Sequence, residues 1–594
     1  MMLKMGFSRD WVHLIMGCVT TVTYRIKVNN DLTEVIVPER GLRHGCPLSP
    51  YLFILCAEGL SALFQDAERE GSLQGVQVCT GAPRINHMFF ADDSLIFMKA
   101  NEASAGKLMS ILALYEDASG QVINKDKSVV MFSKGTSQAA KRKFKNLLQI
   151  SDEAFNERYL GLPIYLGKSK SKAFGYLLEK VWKKIQGWKE KFISRAGKEI
   201  LVKAVAQAIP IFAMSCFDLT KTLCDDISSM VCRYWWNNQE EDRHHWLGWQ
   251  CLTKPKCEGG LGFRDLHIFN MGMMARQGWR LIQESDSLCG RVLRAKYFPD
   301  GNILGGTVKP GISYTWRSIL RGVSLLKEGL VWRVGDGSKI KVWEDPWLPE
   351  GDTRRPRAVR GSSVVETVAD LINPTTGAWD ETMIQGIFPP EDVKTILSIS
   401  ICDDMEDNLA WHFDPKGIFS VKSAYNVGVM LNDRSRGSDA ACSRVSTGKC
   451  HVNFDWNHIW KMRVPNKLKM FLWRLAHNSL ALRMKIVRIG IELDTSCPVC
   501  HRKNEDGGHI FLKCKHAKEC WGRLGLGETR EKLLPCSSAH HMFEELWKCD
   551  ENIQLKATIF MWEWWNVRNK ANAGEVVPNA QTICHRVESL EWIS

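Results

Sequence analysis

Two adjacent carboxylates, Asp92 and Asp93, are the residues of this chain whose setting most suggests chemistry. Apolar, β-prone residues flank them on both sides, over 87–90 and 94–98. Such flanks are typical of paired strands, so we predict a β-hairpin with both acids at or beside its turn. Exposed carboxylates there could bind Mg²⁺, which takes one or two protein carboxylates and fills its shell with phosphates and water. An isolated Asp-Asp pair is more often a turn cap, so its neighbours must decide.

A second set of residues has the spacing C-x2-C-x8-H-x4-C: Cys497, Cys500, His509 and Cys514. Three thiolates and one imidazole can close a tetrahedral shell around Zn²⁺, and closed shells are structural rather than catalytic. The twenty cysteines of the chain are scattered, which favours free thiols and metal ligands over a disulfide framework. The spacing leaves three alternative ligands open: His501, His516 and Cys520.

A loop over 41–50 leads into a predicted helix over 51–64. Ser49 is the predicted N-cap, Pro50 suits the first helical position, and the leucines that follow recur at helical spacing. The loop glycines allow a ligand to approach the backbone closely, and Arg43 supplies a fixed positive charge suited to phosphate. The loop-helix segment alone is typical of an ordinary amphipathic helix behind a turn.

Together, the loop-helix segment and the Phe-Ala-Asp-Asp segment resemble motifs B and C of the reverse transcriptase palm, in the non-LTR retrotransposon form found in plants. A third segment, 115–128, is similar to the stretch that follows the catalytic hairpin in that family. His44 and Cys46 stand where the family usually has Gln and Asp, which affects the fit of the nucleotide and template pocket.

The resemblance implies an RNA-directed DNA polymerase in which two Mg²⁺ ions stabilise the attacking and leaving oxygens. Asp92 would bridge the metals and Asp93 would support them. Its partners would be RNA and DNA, as template, primer and target site, together with deoxynucleotides. The residues that would contact nucleotide or template are Arg43, Gly45, Pro47, Ser49, Phe90 and Lys127, with Lys125 as the alternative to Lys127.

Reverse transcriptases take another essential metal-binding Asp from an earlier strand, and we find no convincing replacement in residues 1–40. Asp10 lies in a helical pattern, and Asp31 and Glu34 lie by an apparent hairpin turn. We therefore expect this chain, as given, to lack that motif and the fingers, and to have little or no polymerase activity. The alternative is a non-catalytic, zinc-containing nucleic-acid-binding protein derived from a mobile element.

Residues 419–523 resemble the zinc-binding domain attached to plant non-LTR reverse transcriptases. This resemblance implies a Zn²⁺ site that helps to handle RNA or DNA. Its candidate phosphate contacts are Lys461, Arg463, Lys467 and Lys469. A Trp-rich stretch, 561–570, resembles the lead-in to a ribonuclease H domain, and we expect that domain itself to be missing.

The predicted fold class is α+β and multidomain, with a partial palm of helices and an antiparallel hairpin. The predicted divisions are a palm over 1–135, a helical thumb or connection region over 136–350, a connector over 351–418, the zinc-binding domain over 419–523 and a helical tail over 524–594. The formal charge of +13 favours a polyanionic partner. We find no secretory leader and no membrane-spanning apolar run, which predicts an intracellular protein of the nucleus or cytoplasm.

Overall fold

A computed structural model describes residues 1–38, 45–153, 158–189, 193–236, 245–351, 353–358, 364–402, 404–436 and 454–591. These residues form mostly α-helices together with small two-stranded antiparallel sheets. The predicted α+β class is therefore confirmed. None of the helices in the described ranges is long and apolar enough to cross a membrane.

The α-helices are α1 Arg9–Thr20, α2 Ser49–Arg69, α3 Glu102–Ser119, α4 Gln138–Leu148, α5 Lys170–Lys189, α6 Arg195–Leu201, α7 Ile211–Met214, α8 Lys221–Trp236, α9 Trp249–Thr253, α10 Leu266–Gln283, α11 Leu288–Tyr297, α12 Tyr314–Lys327, α13 Glu381–Ile387, α14 Pro390–Leu397, α15 Val421–Arg436, α16 Trp456–Lys461, α17 Asn466–Ala476, α18 Arg483–Arg488, α19 Lys515–Arg523, α20 Gly527–Leu533, α21 Ala539–Trp547, α22 Glu551–Asn572 and α23 Ala580–Glu591. The strands are β1 Lys27–Val28, β2 Asp31–Leu32, β3 Val76–Gln77, β4 Arg84–Ile85, β5 His87–Phe90, β6 Asp93–Ile96, β7 Arg158–Tyr159, β8 Leu162–Pro163, β9 Leu330–Arg333 and β10 Asn408–Trp411. Two π-helical turns occur at Val202–Ala206 and His509–Lys513.

The chain divides into two compact units, and the predicted five-part division is finer than these and stays a prediction. Unit 1 comprises Met1–Leu166 and Arg280–Val308, and unit 2 comprises Gly167–Trp279 and Lys309–Ser594.

In unit 1, the core lies between α2, α3 and α4, where the buried apolar faces of the three helices meet. Phe64 of α2 is fully buried at its centre, and the β5–β6 hairpin covers one side through Phe89 and Ile96. Helix α2 begins at Ser49 with Leu48 as its N-cap, so the predicted Ser49 cap is wrong by one residue. Pro50 nevertheless lies in the first turn, where its missing N–H costs nothing.

In unit 2, helices from distant parts of the chain share a core rich in tryptophan. Seven indole side chains of unit 2 are almost completely buried, and one of them, Trp347, lies in a separate cluster of residues 334–396: Trp235, Trp316, Trp347, Trp411, Trp473, Trp521 and Trp564. Helix α22 packs against α17 and α23, and α23 also packs against α19. The Trp-rich helix near the end of the sequence is thus part of the same packed unit as the Cys/His segment.

The glycines over 259–262 form a turn in which Gly259 and Gly262 both have left-handed backbone conformations, φ 83° and 67°. The Gly259 carbonyl accepts hydrogen bonds from the Trp473 indole, at 2.8 Å, and the His477 ring, at 2.6 Å. This turn therefore anchors α17 within unit 2.

Candidate functional sites

Strands β5 and β6 pair antiparallel with Phe90 opposite Asp93, so only Ala91 and Asp92 connect them. Ala91 has φ 48°, in the left-handed region that two-residue hairpin loops require. Asp92 lies in the turn, Asp93 begins the second strand, and both side chains are exposed. The prediction of a hairpin with the Asp pair at its turn is confirmed.

The hairpin is anchored through one face only. His87 and Phe89 point towards the core of unit 1, where both rings lie against Phe64. The Nε2 atom of His87 also lies 2.9 Å from the Ser61 hydroxyl, and burial lowers the pKa of this imidazole. Because side chains alternate along a strand, the other face is left to Phe90 and the residues paired with it. The structure thereby presents the carboxylates outward while fixing the backbone beneath them.

Phe90 lies on the same outer face as Asp93, and 60% of its surface is exposed. The other predicted nucleotide and template contacts lie on different segments. Gly45 has φ 80° in the loop before α2, Pro47 follows it, and Ser49 is the first residue of that helix. Lys127 is an exposed residue that ends a short 3₁₀ helix. Arg43 and His44 lie outside the described residues.

Tyr159 is a neighbour of the hairpin that the sequence did not identify. It ends strand β7, and Leu160 and Gly161 make the tight turn to β8, with φ 51° and 77°. Burial raises the pKa of the Tyr159 phenol, and the nearby charge of Asp93 raises it further. The Tyr-Leu-Gly-Leu-Pro segment is a turn signal in the sequence, but nothing in it indicates closeness to Asp93.

Within the described ranges, no third carboxylate joins Asp92 and Asp93 in a cluster that could hold a metal ion. Asp10 lies in α1 and Asp31 in β2, and both are exposed. The described residues thus provide two adjacent acidic ligands.

The four predicted zinc ligands converge in unit 2. The ligand atoms of Cys497, Cys500, His509 and Cys514 all lie within 4.8 Å of one another. The Sγ atom of Cys500 is 3.3 Å from Nε2 of His509. In a tetrahedral zinc site with Zn–S of 2.3 Å, ligand atoms are about 3.5–3.8 Å apart, so the donor set and its compactness fit Zn²⁺.

The three alternative ligands lie apart from this cluster. His501 and His516 are exposed, and the Cys520 thiol interacts instead with Cys584 of α23. Burial and this neighbouring thiol raise the pKa of Cys520 to about 12, which disfavours the thiolate that zinc requires.

Local hydrogen bonds favour a thiolate within the cluster. The Cys514 thiol donates to the sulfur of Cys497 and thereby lowers the pKa of Cys497 to about 5, with further help from the N–H groups of Cys500 and Val499. Cys514 itself is the N-cap of α19, and its hydrogen bond to Cys497 together with its burial raises its own pKa. The hydrogen bonds received by Cys497 stabilise negative charge where a cation would bind.

His509 begins a π-helical turn whose backbone accepts hydrogen bonds from side chains of three other helices. Three consecutive backbone carbonyls of this turn accept hydrogen bonds from side chains, and these bonds satisfy buried acceptors. The donors are the Trp564 indole to Ile510 at 2.7 Å, the Trp521 indole to Phe511 at 2.8 Å and the Arg530 guanidinium to Leu512 at 2.7 Å. The backbone that carries His509 is therefore held by the surrounding core, whereas the buried Nδ1 of its ring has no hydrogen-bond partner among the described residues.

A buried ion pair fixes the other side of the Cys/His loop. The Glu505 carboxylate, 0% exposed, accepts from two nitrogens of Arg568 on α22, each at 2.5 Å. It also accepts from the backbone N–H of Arg483 at 2.8 Å, and Arg568 donates to the Ala481 carbonyl. Because all these groups are satisfied, the pair joins the loop to α18 and α22.

Two of the four predicted phosphate contacts near α17 already have interactions within unit 2. Lys469 donates to the Trp460 carbonyl at 2.9 Å, and Lys467 lies over the Trp562 ring at 4.5 Å. Lys461 and Arg463 remain predictions without a geometric argument.

Two family sequence models match the chain. Residues 2–176 match a family described as reverse transcriptase, RNA-dependent DNA polymerase, and residues 419–521 match one described as zinc-binding in reverse transcriptase. These ranges contain the hairpin and the Cys/His cluster, respectively.

Three curated relatives come from Arabidopsis thaliana. A protein named "Putative ribonuclease H protein" is 28% identical over 424 residues, 69% of this chain and 66% of that protein, so the chain spans just under two thirds of its length. A protein named "Uncharacterized mitochondrial protein" is 44% identical over 143 residues, 24% of this chain and 93% of that protein. Another of the same description is 52% identical over 67 residues, 11% of this chain and 55% of its own. The chain belongs to the reverse transcriptase family of plant non-LTR retrotransposons.

Proposed function

We propose that this chain contributes Asp92 and Asp93 as Mg²⁺ ligands to RNA-directed DNA synthesis. The observation that carries this proposal is the anchored hairpin, which holds two adjacent carboxylates outward and leaves their oxygens exposed. When bound there, Mg²⁺ would supply charge stabilisation to the oxygens of a phosphoryl transfer. RNA and DNA would be template, primer and target, and deoxynucleotides would be the substrates.

The neighbouring residues have supporting roles in this proposal. Phe90, exposed beside Asp93, would pack against the primer end. The Arg43, Gly45, Pro47 and Ser49 segment would contact template and nucleotide, and Lys127 would approach the triphosphate.

Polymerase activity needs more acidic ligands than the described residues bring together, since they provide only the Asp pair. We therefore expect the purified chain to extend an RNA-templated DNA primer with Mg²⁺ weakly or not at all. The test compares the chain with Asp92→Asn in single-turnover primer extension. Extension by the first that is absent from the second would establish a working polymerase and refute the expected inactivity.

We also propose that Cys497, Cys500, His509 and Cys514 bind one structural Zn²⁺. Support comes from the closeness of their four ligand atoms, their burial and the hydrogen bonds that favour a thiolate. Native mass spectrometry should find one zinc per chain. A folded chain without metal would refute this site.

A non-catalytic, zinc-containing nucleic-acid-binding protein is the second candidate, and the two-carboxylate hairpin favours it. RNA binding that weakens with salt, without primer extension, would select it. In either case we propose an intracellular location, nucleus or cytoplasm, since the scattered cysteines favour free thiols and metal ligands over a disulfide framework.

A further inference from the structure

Unit 2 contains a group of partly or fully buried cations contributed by three helices. Arg195 and Lys198 come from α6, Arg474 from α17 and Lys485 from α18. Helix α6 packs against α17, and the 245–246 segment that contacts Lys485 lies beside Cys232 of α8, the helix whose end α6 also contacts. In keeping with this packing, the charge of Arg195 lowers the pKa of Lys198 and of Arg474, and Arg474 lowers that of Lys485. Burial is the larger cause at each, and the pKa of Lys485 falls to about 8. Four like charges thus share one region.

Two of these cations also stabilise a helix end. Arg195 donates to the Trp235 carbonyl at 3.0 Å, and Lys198 donates to the Tyr234 carbonyl at 3.3 Å. Both carbonyls belong to the last turn of α8, where the helix dipole favours positive charge. Some of the hydrogen-bond donors of Arg195 and Lys198 are therefore used within the fold.

Arg474 and Lys485 have no comparable explanation. One nitrogen of Arg474 donates to the Ser479 carbonyl at 2.6 Å, whereas its buried Nε has no acceptor among the residues described. The Lys485 ammonium lies over the Trp246 ring, 5.3 Å from its centre. Part of the donor capacity of Arg474 is therefore unused within the described residues.

Buried charge is handled differently elsewhere in unit 2, where Arg568 pairs with Glu505. Across the described ranges, no carboxylate contributes to the pKa of Arg195, Arg474 or Lys485. Uncompensated buried charge destabilises a fold, so an anion from outside the described residues would be favoured here.

We propose that Arg195, Arg474 and Lys485 form a phosphate-binding site. Guanidinium groups match phosphate oxygens in geometry and keep their charge, and a lysine adds a point charge beside them. This inference rests on the proposed nucleic-acid binding for one point, that the phosphate belongs to a nucleic acid backbone. A free di- or triphosphate would offer the same chemistry.

The test uses the full chain and a short, fluorescently labelled single-stranded RNA in anisotropy titrations over several salt concentrations. We expect Arg474→Met and Lys485→Met each to weaken binding about tenfold, because a charge-assisted contact is lost. The slope of log affinity against log salt should fall by about 0.7 for each phosphate contact removed. Arg474→Lys should retain most of the slope, since it keeps the charge.

The same Met variants should melt higher than the parent chain in phosphate-free buffer, by roughly 2–4 °C, because like charges no longer repel. A structural role would instead lower the melting temperature. The control is Lys548→Met, which removes an exposed lysine of the same unit that is paired with Glu545. This change should leave RNA affinity and salt slope unchanged.

Unchanged RNA affinity and slope in both Met variants would overturn the site while leaving nucleic-acid binding intact. If the parent chain binds neither RNA nor DNA, the proposed function fails. The phosphate site is then tested separately, by the effect of inorganic pyrophosphate on the melting temperature. A pyrophosphate-induced rise in melting temperature that the Met variants lose would support a phosphate site for a free ligand. No rise in the parent chain would overturn it.

Discussion

The Asp hairpin of unit 1 and the Cys/His cluster of unit 2 place their candidate cation ligands in opposite environments, one exposed and one buried. Asp92 and Asp93 project from a two-residue turn into solvent, and only the far face of their hairpin packs on a core. The Cys/His ligands are mostly buried, and the backbone that carries them receives side-chain hydrogen bonds from several helices. One site exposes its ligands, and the other encloses them.

This difference in burial determines how much metal binding contributes to the stability of the fold. Ligands enclosed by a core contribute metal affinity directly to the stability of the fold, because the unfolded chain has no such site. Exposed carboxylates contribute little to the free energy of unfolding, so removing them should hardly change stability. A Mg²⁺ ion bound to them would complete its shell with phosphates and water. Loss of ligands should therefore damage unit 2 severely and leave unit 1 intact.

The largest expected effect is from Cys514→Ser. This change removes a zinc ligand and the thiol that hydrogen bonds to Cys497, so much of the ~10 kcal/mol that a structural zinc site supplies should be lost. We expect no bound zinc by native mass spectrometry and loss of the near-ultraviolet circular dichroism from the buried tryptophans. Chelation of the parent chain should have the same effect.

Cys520→Ala is the matched control, because Cys520 is equally buried and close in sequence but faces Cys584. It should retain one zinc per chain. Zinc lost from Cys520→Ala and kept by Cys514→Ser would mean that the ligand set is wrong.

A smaller loss is expected from Glu505→Gln, which leaves the Arg568 charge buried without its partner. Breaking a buried pair from one side costs about 3–5 kcal/mol, measurable as a lower urea midpoint for unit 2. Adding Arg568→Met should restore at least half of that loss, since the charge is removed while Gln still accepts from the Arg483 N–H. No recovery in the double variant would mean that the pair does not act through its charges.

Trp564→Phe should cost less again, about 1–3 kcal/mol, because it leaves the Ile510 carbonyl buried without a donor. Zinc should remain bound, with a faster loss to a competing chelator. Trp562→Phe, two residues away on a partly exposed side chain, is the comparison and should change both quantities much less. Equal losses of stability and equal rates of zinc loss in the two variants would show that the Trp564 indole N–H has no special role.

The residues that the sequence predicted are those whose signals are local. The alternation around Asp92 and the spacing of Cys497 to Cys514 each lie within a short segment, and both segments form as expected. The predicted cap at Ser49 was wrong by one position because helix ends depend on the geometry of one turn.

Contacts between distant segments could not be predicted in this way. Trp564 is 54 residues from Ile510, and Arg568 is 63 residues from Glu505, so no periodicity links them. Tyr159 lies close to Asp93 for the same reason, through packing rather than spacing. The sequence thus indicates which ligands a site contains, whereas tertiary packing decides how firmly they are held.

The smallest effect on stability is expected at the hairpin itself. Asp92→Asn changes an exposed side chain without a core contact, so the free energy of unfolding should shift by no more than about 0.5 kcal/mol. Binding of Mn²⁺, a paramagnetic substitute for Mg²⁺, should nevertheless weaken strongly when followed by electron paramagnetic resonance with a nucleotide present. Asp126→Asn removes an exposed aspartate elsewhere in unit 1 and should leave Mn²⁺ binding unchanged. A large fall in stability in Asp92→Asn would contradict the contrast between the two sites, because the carboxylate would then belong to the fold rather than to a bound metal.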